Sequence, residues 1–161
     1  MALIFFEHKG ITEGAKYYDG DRMLRYRTRV KNCLHIGERV IELHDGNGSF
    51  LGGCVEDDTK AKKWNHSSFF RRFYMNGAEV AVMVGCDYRD GLELQNTSLM
   101  FDGDVHRLQY TVTEHNTPIF TYERHFFKRS RLTIYQEEQA PLSVLIASVV
   151  SMVCDTEPSD G

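Results

Sequence analysis

The stretch Pro141 to Cys154, PLSVLIASVVSMVC, is apolar on every side and follows a long run of strand-like sequence. A helix without a polar stripe needs apolar neighbours all round. Its apolar part, Leu142 to Cys154, is 13 residues, whereas spanning a bilayer takes about 20, so the segment reads as a core helix. Pro141 suits the first helical turn, where its missing N–H costs nothing, and Asp155 with Pro158 ends the helix in an acidic tail over 156–161. A β-rich chain closed by one such helix points to a sheet wrapped around it.

The rest of the chain repeats strand, polar turn, strand. Arg39 to Asp45 and Ser49 to Val55 flank Gly46-Asn47-Gly48, and Phe69 to Met75 and Ala78 to Val84 flank Asn76-Gly77, a strong two-residue hairpin signal. Leu108 to Glu114 and Ile119 to Phe127 flank the turn expected at His115-Asn116-Thr117-Pro118. Further strands are expected at Leu3 to Phe6, Met23 to Val30, Gly91 to Thr97, Ser98 to Asp102 and Arg131 to Gln136, about eleven in all. The turn centres are too irregularly spaced for a solenoid. One curved sheet that closes to remove its edges, plugged by the helix, fits better.

Length and composition set the frame. The 161 residues, 42% hydrophobic, suffice for a single domain over 1–155 with a sizeable core. The N-terminus has no basic region ahead of Leu3 to Phe6 and no small-residue cleavage site, so no signal peptide is expected. Cys33, Cys54, Cys86 and Cys154 lie 21, 32 and 68 residues apart. That spacing suggests neither a zinc site nor a redox pair, and reduced thiols in a cytoplasmic protein are expected. No nucleophile elbow, zinc-protease helix, phosphate-binding loop or dinucleotide fingerprint occurs, and the seven histidines are scattered. Asp45, Asn47, Ser49 and Glu56 fall at positions one, three, five and twelve of a calcium loop, but Phe50 stands where that loop needs glycine. No enzyme activity, metal or cofactor is expected.

At this point the residues resemble the LURP-one-related family, whose domain is grouped with the tubby C-terminal and phospholipid scramblase domains. The resemblance rests on the hairpin IELHDGNGSFLGGCV, on NGAEVAVMV, on MFDGDVHRLQYTVTEHNTPIFTYERHFF and on LTIYQEEQAPLSVLIASVVSMVCD, and it covers nearly the whole chain. It implies a mainly β fold, a closed antiparallel barrel of about twelve strands around a buried hydrophobic C-terminal helix. It also implies membrane-related function, since tubby-type domains bind phosphoinositides and scramblases act on lipids. It carries over no catalytic residue. The short helix with its Ser143, Ser148 and Ser151 departs from a membrane-inserting one.

The charges indicate where such a function would sit. Basic residues cluster at Arg22 to Lys31, at Lys60, Lys62, Lys63, Arg71 and Arg72, and at Arg124, Lys128, Arg129 and Arg131. Strand alternation puts Arg25, Arg27 and Arg29 on one face, with Leu24, Tyr26, Thr28 and Val30 on the other. The aromatic run Trp64 to Tyr74 reads mainly as packing. We expect a non-catalytic module whose Arg25, Arg27, Arg29, Lys128, Arg129 and Arg131 bind the headgroups of an anionic phospholipid surface, in a peripheral and not membrane-spanning mode. The alternative is a protein-interaction or scaffold domain, for which an exposed sheet edge or apolar patch would speak. A small-ligand carrier is disfavoured by the plug, and nucleic acid by the acidic balance, net charge -4.

Overall fold

The computed structural model describes residues 2–9, 14–33, 38–56, 68–86, 92–125 and 129–155. Twelve antiparallel strands form one sheet: β1 Leu3–Lys9, β2 Ala15–Tyr18, β3 Leu24–Cys33, β4 Glu38–Asp45, β5 Phe50–Glu56, β6 Ser68–Met75, β7 Ala78–Cys86, β8 Glu93–Gln95, β9 Leu99–Asp104, β10 Gln109–Glu114, β11 Thr117–Glu123 and β12 Ser130–Ile134. A 3₁₀ turn at Glu137–Gln139 leads into the helix α1, Ala140–Asp155. The strand order is β8-β7-β6-β5-β4-β3-β2-β1-β12-β11-β10-β9. Every ladder but one therefore joins strands consecutive in sequence. The exception, β1 with β12, brings Phe5 opposite Leu132. The ends of the series, β8 and β9, are not laddered but are joined by the three residues between Gln95 and Leu99, so the barrel is nearly closed.

The helix is the core, as its lack of a polar stripe requires. Val144, Leu145, Ile146, Val149 and Val150 are wholly buried, among inward side chains such as Phe5, Leu43, Phe73, Val112 and Phe120. Glu137–Cys154 has the length and apolar content of a short membrane span, yet that surface is spent on the barrel wall. The three serines are buried too. Ser143 donates to the Gln139 carbonyl at 2.7 Å, and Ser148 shares a 2.9 Å hydrogen bond with Thr28 of β3.

A buried carboxylate completes this inner layer. Glu7 follows Leu3 and Phe5 on the inward face of β1 and accepts hydrogen bonds from the Tyr17 hydroxyl at 2.6 Å and the Tyr122 hydroxyl at 2.7 Å. Burial, and then the adjacent Glu7 charge, push the Tyr17 phenol well above its ordinary pKa. Charge inside the wall recurs at Arg71, inward on β6 and bonded to Glu56 at 2.9 Å. Arg71 is thus removed from the surface cluster in which the sequence placed it, while Arg72 on the other face pairs with Glu79 at 2.9 Å.

Two hairpin loops are copies of each other. In Asp19-Gly20-Asp21-Arg22-Met23 the Asp19 carboxylate accepts the N–H groups of Asp21 and Met23 at 2.9 and 3.0 Å. In Asp45-Gly46-Asn47-Gly48-Ser49 the Asp45 carboxylate accepts those of Asn47 and Ser49, both at 2.9 Å. The fourth position is left-handed in both, filled by Arg22 at φ 63° and Gly48 at φ 89°. One oxygen of the Asp45 carboxylate, Oδ1, thus accepts both turn amides.

Three expectations need correction. The strand β2 was absent from the expected eleven, because four residues between Gly14 and Asp19 are too few to show alternation. The turn after β10 is His115-Asn116 alone, both left-handed at φ 49° and 67°, as a two-residue turn between twisted strands requires. Thr117 and Pro118 instead open β11, where the register shifts and a missing N–H is tolerated. Of the strand expected over Gly91 to Thr97, Gly91 lies outside the described residues and the rest shrinks to the three residues of β8.

Candidate anion-binding wall

The outward face of β3 carries Arg25, Arg27, Arg29 and Lys31, as alternation requires when Thr28 is buried inside. Register extends this stripe sideways. Arg27 stands opposite His44 of β4 on one side and Lys16 of β2 on the other, and Lys16 stands opposite His8 of β1. His8, Lys16, Arg27 and His44 thus form a row across four strands, about 14 Å long at the usual strand spacing. A groove of about 250 Å3 opens along it, lined by His8, Lys9, Lys16, Tyr18 and Arg27 and floored by Gly14. Glycine is required there. Gly14 has φ +90°, and a Cβ would stand 2.4 Å from the Thr28 carbonyl.

Neighbouring acids decide which cations keep their charge uncompensated. Arg25 is bonded to Asp19 at 3.3 Å, Lys31 to Glu42 at 3.1 Å and Arg131 to Glu123 at 2.6 Å. The Met23 N–H bond, aided by Arg25, holds the Asp19 carboxyl below its usual range. Lys16, Arg27 and Arg29 make no ion pair among the described residues. Arg129 sits with its guanidinium 5.7 Å from the centre of the Tyr18 ring, which brings it to the same wall. His44 faces two acceptors, the Gly48 carbonyl and Glu42 Oε1, each at 3.2 Å. A neutral ring can donate to only one of them.

Of the six residues expected to bind anions, the fold therefore keeps Arg25, Arg27 and Arg29 together and adds Arg129 through Tyr18. Arg131 lies on β12 opposite Phe6, with β1 and β2 between it and β3, and is tied to Glu123. Lys128 lies outside the described residues, as do Lys60, Lys62, Lys63, Trp64 and the tail 156–161. Sequence reasoning missed Lys16 and His8. The available signal was AKYY itself, in which Ala15 and Tyr17 alternate with Lys16 and Tyr18.

Comparison with known proteins bears on the fold alone. No protein-family model matches the chain. No curated protein matches it either. Among solved structures, the X-ray structure of a protein from Arabidopsis thaliana is similar with a TM-score of 0.56 at 10% identity, over 96% of this chain and 90% of that one. The likeness supports a mainly β, barrel-like fold with one C-terminal helix.

Proposed function

We propose that this chain is a LURP-one-related, tubby-like module that acts without catalysis as a cytoplasmic, membrane-peripheral protein, docking on anionic phospholipid headgroups through the wall of β1 to β4. The observation that carries the reading is the convergence of Lys16, Arg27 and Arg29, none of them ion-paired among the described residues, beside a groove lined by Tyr18, over whose ring the Arg129 guanidinium sits. Three unscreened cations near an anionic surface are worth about 1 kcal/mol each.

Co-sedimentation with vesicles tests this. Wild type should bind anionic vesicles at low salt, release them as ionic strength shortens the screening length to about 8 Å, and ignore neutral ones. Replacing Lys16, Arg27 and Arg29 together by Gln should cost about 3 kcal/mol, roughly a hundredfold in affinity. The unfolding midpoint should hold within about 1 kcal/mol, since exposed charges contribute little to folding. Replacing Arg25 and Arg131 instead should weaken binding much less, because Asp19 and Glu123 already compensate them. Equal losses in the two variants, or no binding by wild type at low salt, would refute the proposal.

A further inference from the structure

Among the described residues the large exposed hydrophobic side chains gather at one rim of the barrel. Ile4, Met23, Phe50, Met100 and Tyr135 all lie within two residues of the loops β2–β3, β4–β5 and β8–β9, of the start of β1 or of the end of β12. Antiparallel pairing puts those points at the same end of the sheet. Exposed hydrophobics scattered singly need no explanation, but a shared rim does. Phe50 is set apart further by its register. It pairs with His44, which extends the row of His8, Lys16, Arg27 and His44 by one strand. The register shift between Leu43 and His44 turns Phe50 outward, since unbroken alternation from buried Cys54 and Gly52 would have pointed it into the barrel. Phe50 is 61% exposed, and its ring meets that of His44 edge to face at 5.7 Å.

Charge and register together select the occupant. Met23, also exposed, stands two residues before Arg25 and continues the column of Arg25, Arg27 and Arg29 towards the rim. The acids of its loop, Asp19 and Asp21, are balanced by Arg25, bonded to Asp19 at 3.3 Å, and by the adjoining Arg22. A soluble phosphate needs only cations and hydrogen-bond donors, so an exposed phenyl ring in the same row adds nothing to its binding. At a bilayer surface the two kinds of side chain have separate places, cations among the headgroups and apolar groups at the acyl boundary. We propose that the partner of the basic wall is an assembled anionic bilayer, into whose acyl boundary Phe50 and Met23 insert while Lys16, Arg27 and Arg29 hold headgroups. The inference rests on the membrane reading of the wall and narrows it, because it excludes a free phosphate compound as the ligand.

The test titrates the full chain with phosphatidylserine-containing vesicles over a salt series. Phe50→Ser should lose about tenfold in affinity at low and high salt alike, the worth of a largely exposed phenyl ring leaving water. Met100→Ser is the control: Met100 is 66% exposed on the same rim, but β9 lies six places from β3 in the strand order, on the opposite wall, so its loss should change nothing. Phe50→Trp should bind as wild type does, and brominated acyl chains should quench it more than they quench wild type, whose one tryptophan is Trp64. That variant carries the test if Phe50→Ser does not fold. Soluble glycerophosphoserine should not compete with the vesicles. Unchanged affinity of Phe50→Ser, equal losses from Phe50→Ser and Met100→Ser, no added quenching, or displacement by glycerophosphoserine would overturn the insertion and leave the basic wall standing. A dimer of the chain that Phe50→Ser dissolves would do the same, by assigning the ring to a second copy. Failure of wild type to bind at low salt would overturn both.

Discussion

An alanine at the second position of the two matched hairpin loops should give opposite results at sites that local sequence makes equivalent. At Gly46 an added Cβ would stand 2.1 Å from the Leu24 carbonyl oxygen and 3.1 Å from its carbon, whereas at Gly20 it would meet nothing within 4 Å. Relief at Gly46 takes a movement of about 1 Å between two backbones, because the blocking atom is not the end of a flexible side chain. Forced overpacking of this kind costs about 1 to 3 kcal/mol, and the rigid partner places Gly46→Ala at the upper end. For a chain of this size that is a fall in Tm of roughly 5 to 10 °C. At Gly20, which is not left-handed, alanine only restricts the unfolded chain and should stabilise by about 0.4 to 1 kcal/mol. Thermal and urea unfolding of both variants beside wild type measure the pair. Equal shifts, or an unperturbed Gly46→Ala, would refute the close approach of β3 to this loop.

Other outcomes follow from the core. Val149→Asp should abolish cooperative unfolding, since it strands a charge among wholly buried side chains; a near-native midpoint by circular dichroism would show that the helix is not enclosed. Tyr17→Phe with Tyr122→Phe should cost about 3 to 5 kcal/mol in denaturant titrations by taking two donors from buried Glu7, and a loss below 1 kcal/mol would mean that the carboxylate is solvated. Burial pushes the Cys54 thiol up to about 12, against about 8.5 in an unfolded chain. Its contribution is full below pH 8.5 and is lost as pH rises towards 12, at up to about 1.4 kcal/mol per unit. Stability should therefore decline above pH 9, and Cys54→Ala should remove the earliest part of that decline. An unchanged alkaline profile in the variant would contradict the assignment.

The hairpins from β4 to β7 were legible because Gly46-Asn47-Gly48 and Asn76-Gly77 announce turns and the flanking runs alternate. The helix was legible because nothing polar interrupts it except three small serines. The basic stripe on β3 was legible for the same local reason. Its state of charge was not, because Asp19 and Glu42 neutralise Arg25 and Lys31 through a loop and a ladder that only the folded register creates. Lys16 stayed hidden with its four-residue strand. Glu7 and Arg71 were hard to place because a charged residue within a strand usually marks the outer face, and here each is on the inner one, held by partners from other strands.

The single long-range ladder also imposes a timetable on synthesis. From β2 through β8, and again from β10 through β12, each strand can pair with its predecessor soon after both leave the ribosome, whereas β1 gains its second partner only when residues 130–134 emerge, and the plug comes last of all. At roughly 5 to 20 residues per second the nascent chain spends several seconds as an open sheet with its apolar face uncovered. Holding chaperones should engage that interval, and a ribosome stalled before Ala140 should display a sheet that binds hydrophobic dyes and loses them when the helix is released.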